Sequence, residues 1–268
     1  MSSPSITPLT APNSTDISVT QHGAVTQITL NRPQKRNALN DAMVLGLEYA
    51  FTHLPEGTRA VVLNGEGTHF CAGLDLSELQ ARGTIEGLHH SRMWHRAFNA
   101  IEKGSVPVVA ALHGAVVGGG MELASSCHVR VADESTFFAF PEGSRGIFVG
   151  GGGSVRAPKL IGEHRMLDMM LTGRVYKAAE GVSVGFAQYL VATGTALAKA
   201  MELAQRIATN APMTNYALLH ALPRIAEQPA DHGFFTEALM ASITETAPEA
   251  QQRVADFLEG RGAKVKAD

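Results

Sequence analysis

Cysteine is scarce. Two residues, Cys71 and Cys127, occur in 268; that is too few for a disulfide framework, and both read as small buried apolar side chains. Tryptophan occurs once and aromatic residues make up 6%, so no surface rich in stacking rings is available to nucleic acid. Net charge is −3 and no stretch concentrates Lys and Arg, so the basic footprint of a nucleic-acid binder is missing. No run approaches the roughly 20 apolar residues of a membrane-spanning helix. The leader from Met1 to Asp16 contains no basic residue, and so lacks the charged start of a secretory signal and the arginines of a transit peptide. Together these absences predict a cytoplasmic protein with no membrane or nucleic-acid partner.

What is present is a globular composition, 45% hydrophobic and 18% charged, in a chain long enough to bury a substantial core. Residues 17–30 read as two short strands hinged at His22-Gly23. Asn40 or Asp41 can cap a helix whose stripe is Met43, Leu47, Phe51 and Leu54. Ala60 to Leu63 and Val106 to Leu112 are apolar runs of the kind found in strands buried on both faces. Between them a helix carries Trp94, Phe98 and Ile101 on one side. Val129 to Val131 and Phe137 to Phe140 suggest two more strands. Strands alternating with helices predict an α/β architecture with parallel pairing. From Ala196 onward the pattern is helical. The expected organisation is a leader over 1–16, an α/β core over 17–195 and a helical subdomain over 196–268.

Two glycine-bearing segments follow the buried runs. The first is Gly65 to Leu76, the second His113 to Ala124 with its triplet Gly118-Gly119-Gly120. Glycine permits close approach of backbone to a ligand, and a helix start leaves amide N–H groups unpaired and positively polarised. Such donors can hold a developing oxyanion, although tight helix–strand packing explains either segment alone. Neither ends in the Gly-Lys-Ser/Thr of a phosphate loop. Gly152-Gly153-Ser154-Val155-Arg156 fails as a nucleophile elbow because Arg156 stands where glycine is needed.

Taken in order, Asn31-Arg32-Pro33 with Asn37-Ala38-Leu39, Phe70 to Asp75, Gly118 to Ala124 and Pro141-Glu142 resemble the crotonase family, the enoyl-CoA hydratase/isomerase superfamily. That resemblance implies a spiral of repeated ββα units with a helical C-terminal subdomain for oligomerisation into homotrimers or dimers of trimers. It implies acyl-CoA substrates in fatty acid metabolism, with neither metal nor separate cofactor, coenzyme A being part of the substrate. By position, the backbone N–H groups of Leu74 and Gly119 are the expected oxyanion hole. Ala72, Asp75 and Leu76, with Lys35 and Arg36, are the expected CoA-binding residues. The C-terminal helices resemble the family less closely and no site residue is carried over from them; Phe234, Phe235 and the late Lys264 read as core packing or solvated surface, with the border of a neighbouring subunit's CoA site as the alternative.

Glu122 and Glu142 occupy the positions of the family's paired catalytic glutamates. Hydrating a conjugated thioester needs a hydroxyl on the β-carbon and a proton on the α-carbon, work for a carboxylate and a carboxylic acid respectively. Glu122 is assigned the water and Glu142 the α-proton. Ser144 and Arg145 depart from the small or apolar residues usual after the second glutamate. The expected activity is enoyl-CoA hydration. The alternatives are double-bond isomerisation, thioester hydrolysis, a combined hydratase and hydrolase of the methylthioacryloyl-CoA type and, in another class, a non-catalytic RNA-binding relative.

Overall fold

The computed structural model describes residues 16–78 and 83–261; most of the leader and Lys264 lie outside the described residues. Strands β1 (Ile17–His22) and β2 (Val25–Leu30) form an antiparallel hairpin. Helix α1 (Asp41–Thr52) follows, and the capping question resolves to Asn40, whose Oδ1 accepts from the Met43 amide at 2.8 Å. Its apolar face, including Met43, Leu47 and Phe51, is buried. Strand β3 (Ala60–Gly65) is buried at every residue, as its unbroken apolar run requires. Helix α2 (Thr84–Glu102) buries Trp94, Ala97, Phe98 and Ile101.

The chain then runs through β4 (Val108–Leu112), β5 (Ala115–Val117), α3 (Gly119–Ser125), β6 (Val129–Asp133) and β7 (Phe137–Ala139). Next come α4 (Gly153–Ile161), α5 (Glu163–Thr172), β8 (Tyr176–Lys177), α6 (Ala178–Val184), β9 (Tyr189–Val191) and α7 (Ala196–Ala208). The first sheet has the order β1-β2-β3-β4-β6-β9 and is parallel from β2 onward; the second has the order β5-β7-β8. Isolated parallel bridges, Leu39 with Leu74 and Cys71 with Val116, extend the pattern of the second sheet. Successive turns of the chain each leave a strand in the first sheet and a strand or bridge in the second, with a helix between turns. This is the spiral of ββα units.

Two compact units divide the chain at residues 208 and 209. Helix α7, which sequence pattern alone groups with the C-terminal helices, belongs to the first. Its Ala196, Ala200, Leu203 and Ala204 bury against Val62, Val109 and Val131 of the main sheet, and covering that face is what its apolar stripe is for. The second unit holds α8 (Pro212–His220), α9 (Leu222–Glu227), α10 (Ala230–Glu245) and α11 (Pro248–Leu258). The helical pattern is broken at Ala221, between α8 and α9, and Pro223 sits in the first turn of α9, where a missing N–H is tolerated. Among the described residues, no helix is long and apolar enough to cross a membrane.

Candidate active site

The loop leaving β3 is held by side chains acting on its backbone. Asn37 is buried with a left-handed φ of 54°. Its Nδ2 donates to the carbonyls of Glu66 (2.9 Å) and His69 (2.7 Å), and its Oδ1 accepts from the Arg32 amide (2.9 Å). His69 Nδ1 accepts from the Ala115 amide at 3.0 Å, bolting the loop to β5. Further on, the Cys71 amide donates to Ala115 and the Val117 amide to Cys71. The Leu39 amide donates to Gly73 at 2.7 Å and the Asp75 amide to Leu39 at 2.8 Å. Both neighbours of Leu74 are thereby fixed, while its own N–H meets no protein acceptor among the described residues.

The second donor comes from the start of α3. Gly118 has φ 53° and ψ −119°, backbone that glycine alone adopts readily, and its N–H donates to Ala139 at 2.9 Å. This turn frees the Gly119 amide, which likewise has no protein acceptor among the described residues. The two donors face one space. A β-carbon at Gly119 would stand 3.4 Å from the Leu74 nitrogen, and one at Gly73 would stand 3.4 Å from the Gly119 nitrogen.

Glu122, one turn into α3, is buried at 3% exposure. Its Oε1 accepts from the amides of Gly151 and Gly153, each at 2.8 Å, where the chain enters α4. Burial pushes its carboxyl above the ordinary range; the amides of Gly153 and Gly151 and the charge of Arg156 oppose that shift. Arg156 also ties down the glycine loop, donating from Nη1 to the Gly151 carbonyl (3.1 Å), from Nε to Glu102 Oε2 (2.9 Å) and from Nη2 to Asn99 Oδ1 (2.7 Å). Glu142, just past β7 and Pro141, is also buried, and its Oε2 has no hydrogen-bond partner. Burial raises its carboxyl to about 7, with the charge of Glu122 adding to the rise and Arg145 opposing it. Both carboxyl groups, Leu74, Gly119 and Trp94 line one cavity of about 230 Å³, completed by residues 147–151.

The four residues expected to form the oxyanion hole and the acid–base pair therefore meet in space. The expected CoA contacts do not all behave alike. Lys35 and Arg36 are exposed, and the Arg36 carbonyl accepts from the Ala72 amide at 3.0 Å, so this basic turn abuts the loop that carries Leu74. Leu76 is exposed. Asp75 carries its carboxylate inward: Oδ1 accepts from the Ser77 hydroxyl (2.6 Å) and amide (3.0 Å), Oδ2 from Arg32 (2.7 Å). The Ser77 hydroxyl leads the causes, with Arg32, that hold it down at about 2. Its side chain braces the loop. Ser144 turns its hydroxyl back to the Pro141 carbonyl at 2.8 Å, and Arg145 is exposed. Among the described residues, no three His, Cys, Asp or Glu side chains gather as a metal site.

Sequence reasoning named Trp94, Gly153 and Arg156 without giving them a place at the site, and did not single out Gly151. The available signal was the unbroken run Gly150-Gly151-Gly152-Gly153.

With this geometry, the sequence matches the enoyl-CoA hydratase/isomerase family over residues 20–267. The chain belongs to that family. It is similar to enoyl-CoA hydratase EchA19 of Mycobacterium tuberculosis, at 30% identity over 251 residues, covering 92% of this chain and 94% of that one. A crystal structure from Rhodopseudomonas palustris CGA009 is 56% identical, covers 93% of this chain and 97% of that one, and superposes with a TM-score of 0.90. An enoyl-CoA hydratase structure from Bacillus anthracis is 30% identical, covers 94% and 100% of the respective chains, and gives a TM-score of 0.86. These neighbours share the crotonase fold.

Proposed function

We propose that this member of the family is an enoyl-CoA hydratase that adds water across the 2,3 double bond of an acyl-CoA thioester. The observation that carries the reading is the unequal provision of its two buried carboxyl groups. Burial raises the Glu122 carboxyl, but two amide donors and a nearby guanidinium oppose that rise and favour its ionised form, which suits it to orient and deprotonate water. Glu142 has an oxygen with no donor and a neighbour of like charge, the surroundings of a carboxylic acid that keeps its proton near neutral pH and can hand it to the α-carbon. As hydroxide adds to the β-carbon, charge moves to the thioester oxygen, where the Leu74 and Gly119 amides donate to it without having to reorganise. Isomerisation needs one shuttling carboxyl and leaves the second unexplained.

CoA enters this reading through its phosphates, which the exposed Lys35 and Arg36 suit, and through the exposed Leu76. Exposed aromatic residues in the C-terminal unit, Phe234 and Phe235, suit assembly into a homotrimer or a dimer of trimers.

Incubation with crotonyl-CoA should bleach the absorbance of the conjugated thioester with no release of free thiol. Glu122→Ala and Glu142→Ala should each lower turnover by roughly 10²–10⁴ while acyl-CoA binding persists. Near-normal rates in both variants would rule the assignment out, and stoichiometric thiol release would move the reaction to hydrolysis.

A further inference from the structure

The cavity has an open end and a closed one. Along α2 its wall is made by Gly87, His90, Ser91 and Trp94, the i, i+3, i+4, i+7 face of a helix. The first three are half-buried, whereas Trp94 is 4% exposed. At the other rim Phe148 is 70% exposed. Behind Trp94 stands Phe98, edge-on with ring centroids 5.6 Å apart. The indole is also wedged between the two backbone segments that serve the chemistry. A β-carbon at Gly119 would lie 3.0 Å from its Cζ3, and one at Gly151 would lie 3.1 Å from its Cε3.

We propose that Trp94 is the floor of the acyl cavity and restricts this enzyme to short acyl groups. The inference rests on the enoyl-thioester reading above. A thioester oxygen held by Leu74 and Gly119, with its next two carbons facing the glutamates, leaves the bulky carrier at the exposed rim. Any further carbons must run toward the buried end, and there they meet the indole. The ring has little room to retreat, because close-packed interiors resist intrusion and it is bounded by main chain, by Phe98 and by the His90 ring, whose centroid lies 6.1 Å away. The cavity itself, about 230 Å³, is below the ~300–1,000 Å³ usual for sites that take drug-sized ligands. The glutamates set the reaction; Trp94 sets the length.

Two features make this testable. Trp94 is the single tryptophan of the chain, so its emission reports arrival of an acyl group at the floor. Its Nε1 has no hydrogen-bond partner, so replacing it by an apolar residue breaks no hydrogen bond and tests volume alone.

In the full-length wild-type protein, butyryl-CoA should shift the emission saturably and coenzyme A lacking an acyl group should not; equal responses to both overturn the proposal. With trans-2-enoyl-CoA substrates, kcat/KM should fall at least ~10-fold from four to eight carbons, since one methylene alters discrimination in an apolar pocket by roughly 10–200-fold. Trp94→Leu should raise the eight-to-four-carbon ratio about 10-fold, with Trp94→Phe in between and able to stand alone should the leucine variant fail to fold. A flat wild-type profile, or a ratio unmoved in the variants, overturns the proposal. Absence of hydration with every enoyl chain would sink the hydratase reading instead; the emission titration then still decides the floor, with butyryl-CoA expected to bind at least ~10-fold more tightly than decanoyl-CoA and equal binding overturning it.

Discussion

Glu142 titrates where the enzyme has to work, and the direction of its shift fixes two pH dependences. The ordinary value is 4.5 and the folded value is about 7. Between them the folded chain keeps a proton that the unfolded chain has released, so this carboxyl's contribution to stability declines as the pH rises through that window. Glu142→Gln should flatten this slope in a series of melting curves and give a higher Tm than wild type at pH 8. Turnover that depends on Glu142 as an acid should decline above about pH 7 in wild type; a wild-type rate constant from pH 6 to 9 would contradict the role. Gly153 gives a second residue-scale expectation. A β-carbon there would lie 2.9 Å from both Cγ and Oε1 of Glu122, so Gly153→Ala should displace the carboxylate and lower kcat about 10²-fold with circular dichroism unchanged. That the glutamates and the two amides belong around one cavity was legible because each sits in a short contiguous motif. Gly151 and Gly153 were not, because their role exists only through contact with a side chain about thirty positions earlier.

Among elements, legibility followed length and periodicity. Helix α1 and strands β3 and β4 announce themselves by an apolar stripe or an unbroken apolar run, and they lie where the pattern puts them. Strands β5, β8 and β9 span two or three residues each, too few to show a period, and register with a neighbouring strand rather than local sequence creates them. Helix α7 was legible as a helix but not as part of the core, since an amphipathic pattern says which face is buried and not against what. Leu203 sits on that face at 6% exposure. Leu203→Ala should destabilise the protein by about 2–4 kcal/mol, read as a lower urea midpoint, with the KM for the thioester unchanged because α7 contributes nothing to the cavity lining.

At the scale of the molecule, the C-terminal unit leaves Phe234, Phe235 and Leu258 between 67% and 78% exposed, large apolar side chains that suit burial against another copy of the chain. Sedimentation should return a trimer or hexamer at micromolar concentration, and Phe235→Asp should shift it toward smaller species; a wild-type monomer would count against the assembly. The expectation of trimers came from the family resemblance and not from these residues, because a surface records that it is apolar and not what covers it.

In the proposed reaction, main-chain donation at the thioester oxygen has a consequence for descent. The side chain at position 74 takes no part in holding that charge, so ordinary substitution there leaves the donor in place and proline alone erases it, whereas a β-carbon at Gly119 would press on the Trp94 ring at 3.0 Å. Mutation therefore reaches the walls of the cavity far more readily than its electrostatics. Lineages built on this framework are free to change their diet while inheriting the same chemistry.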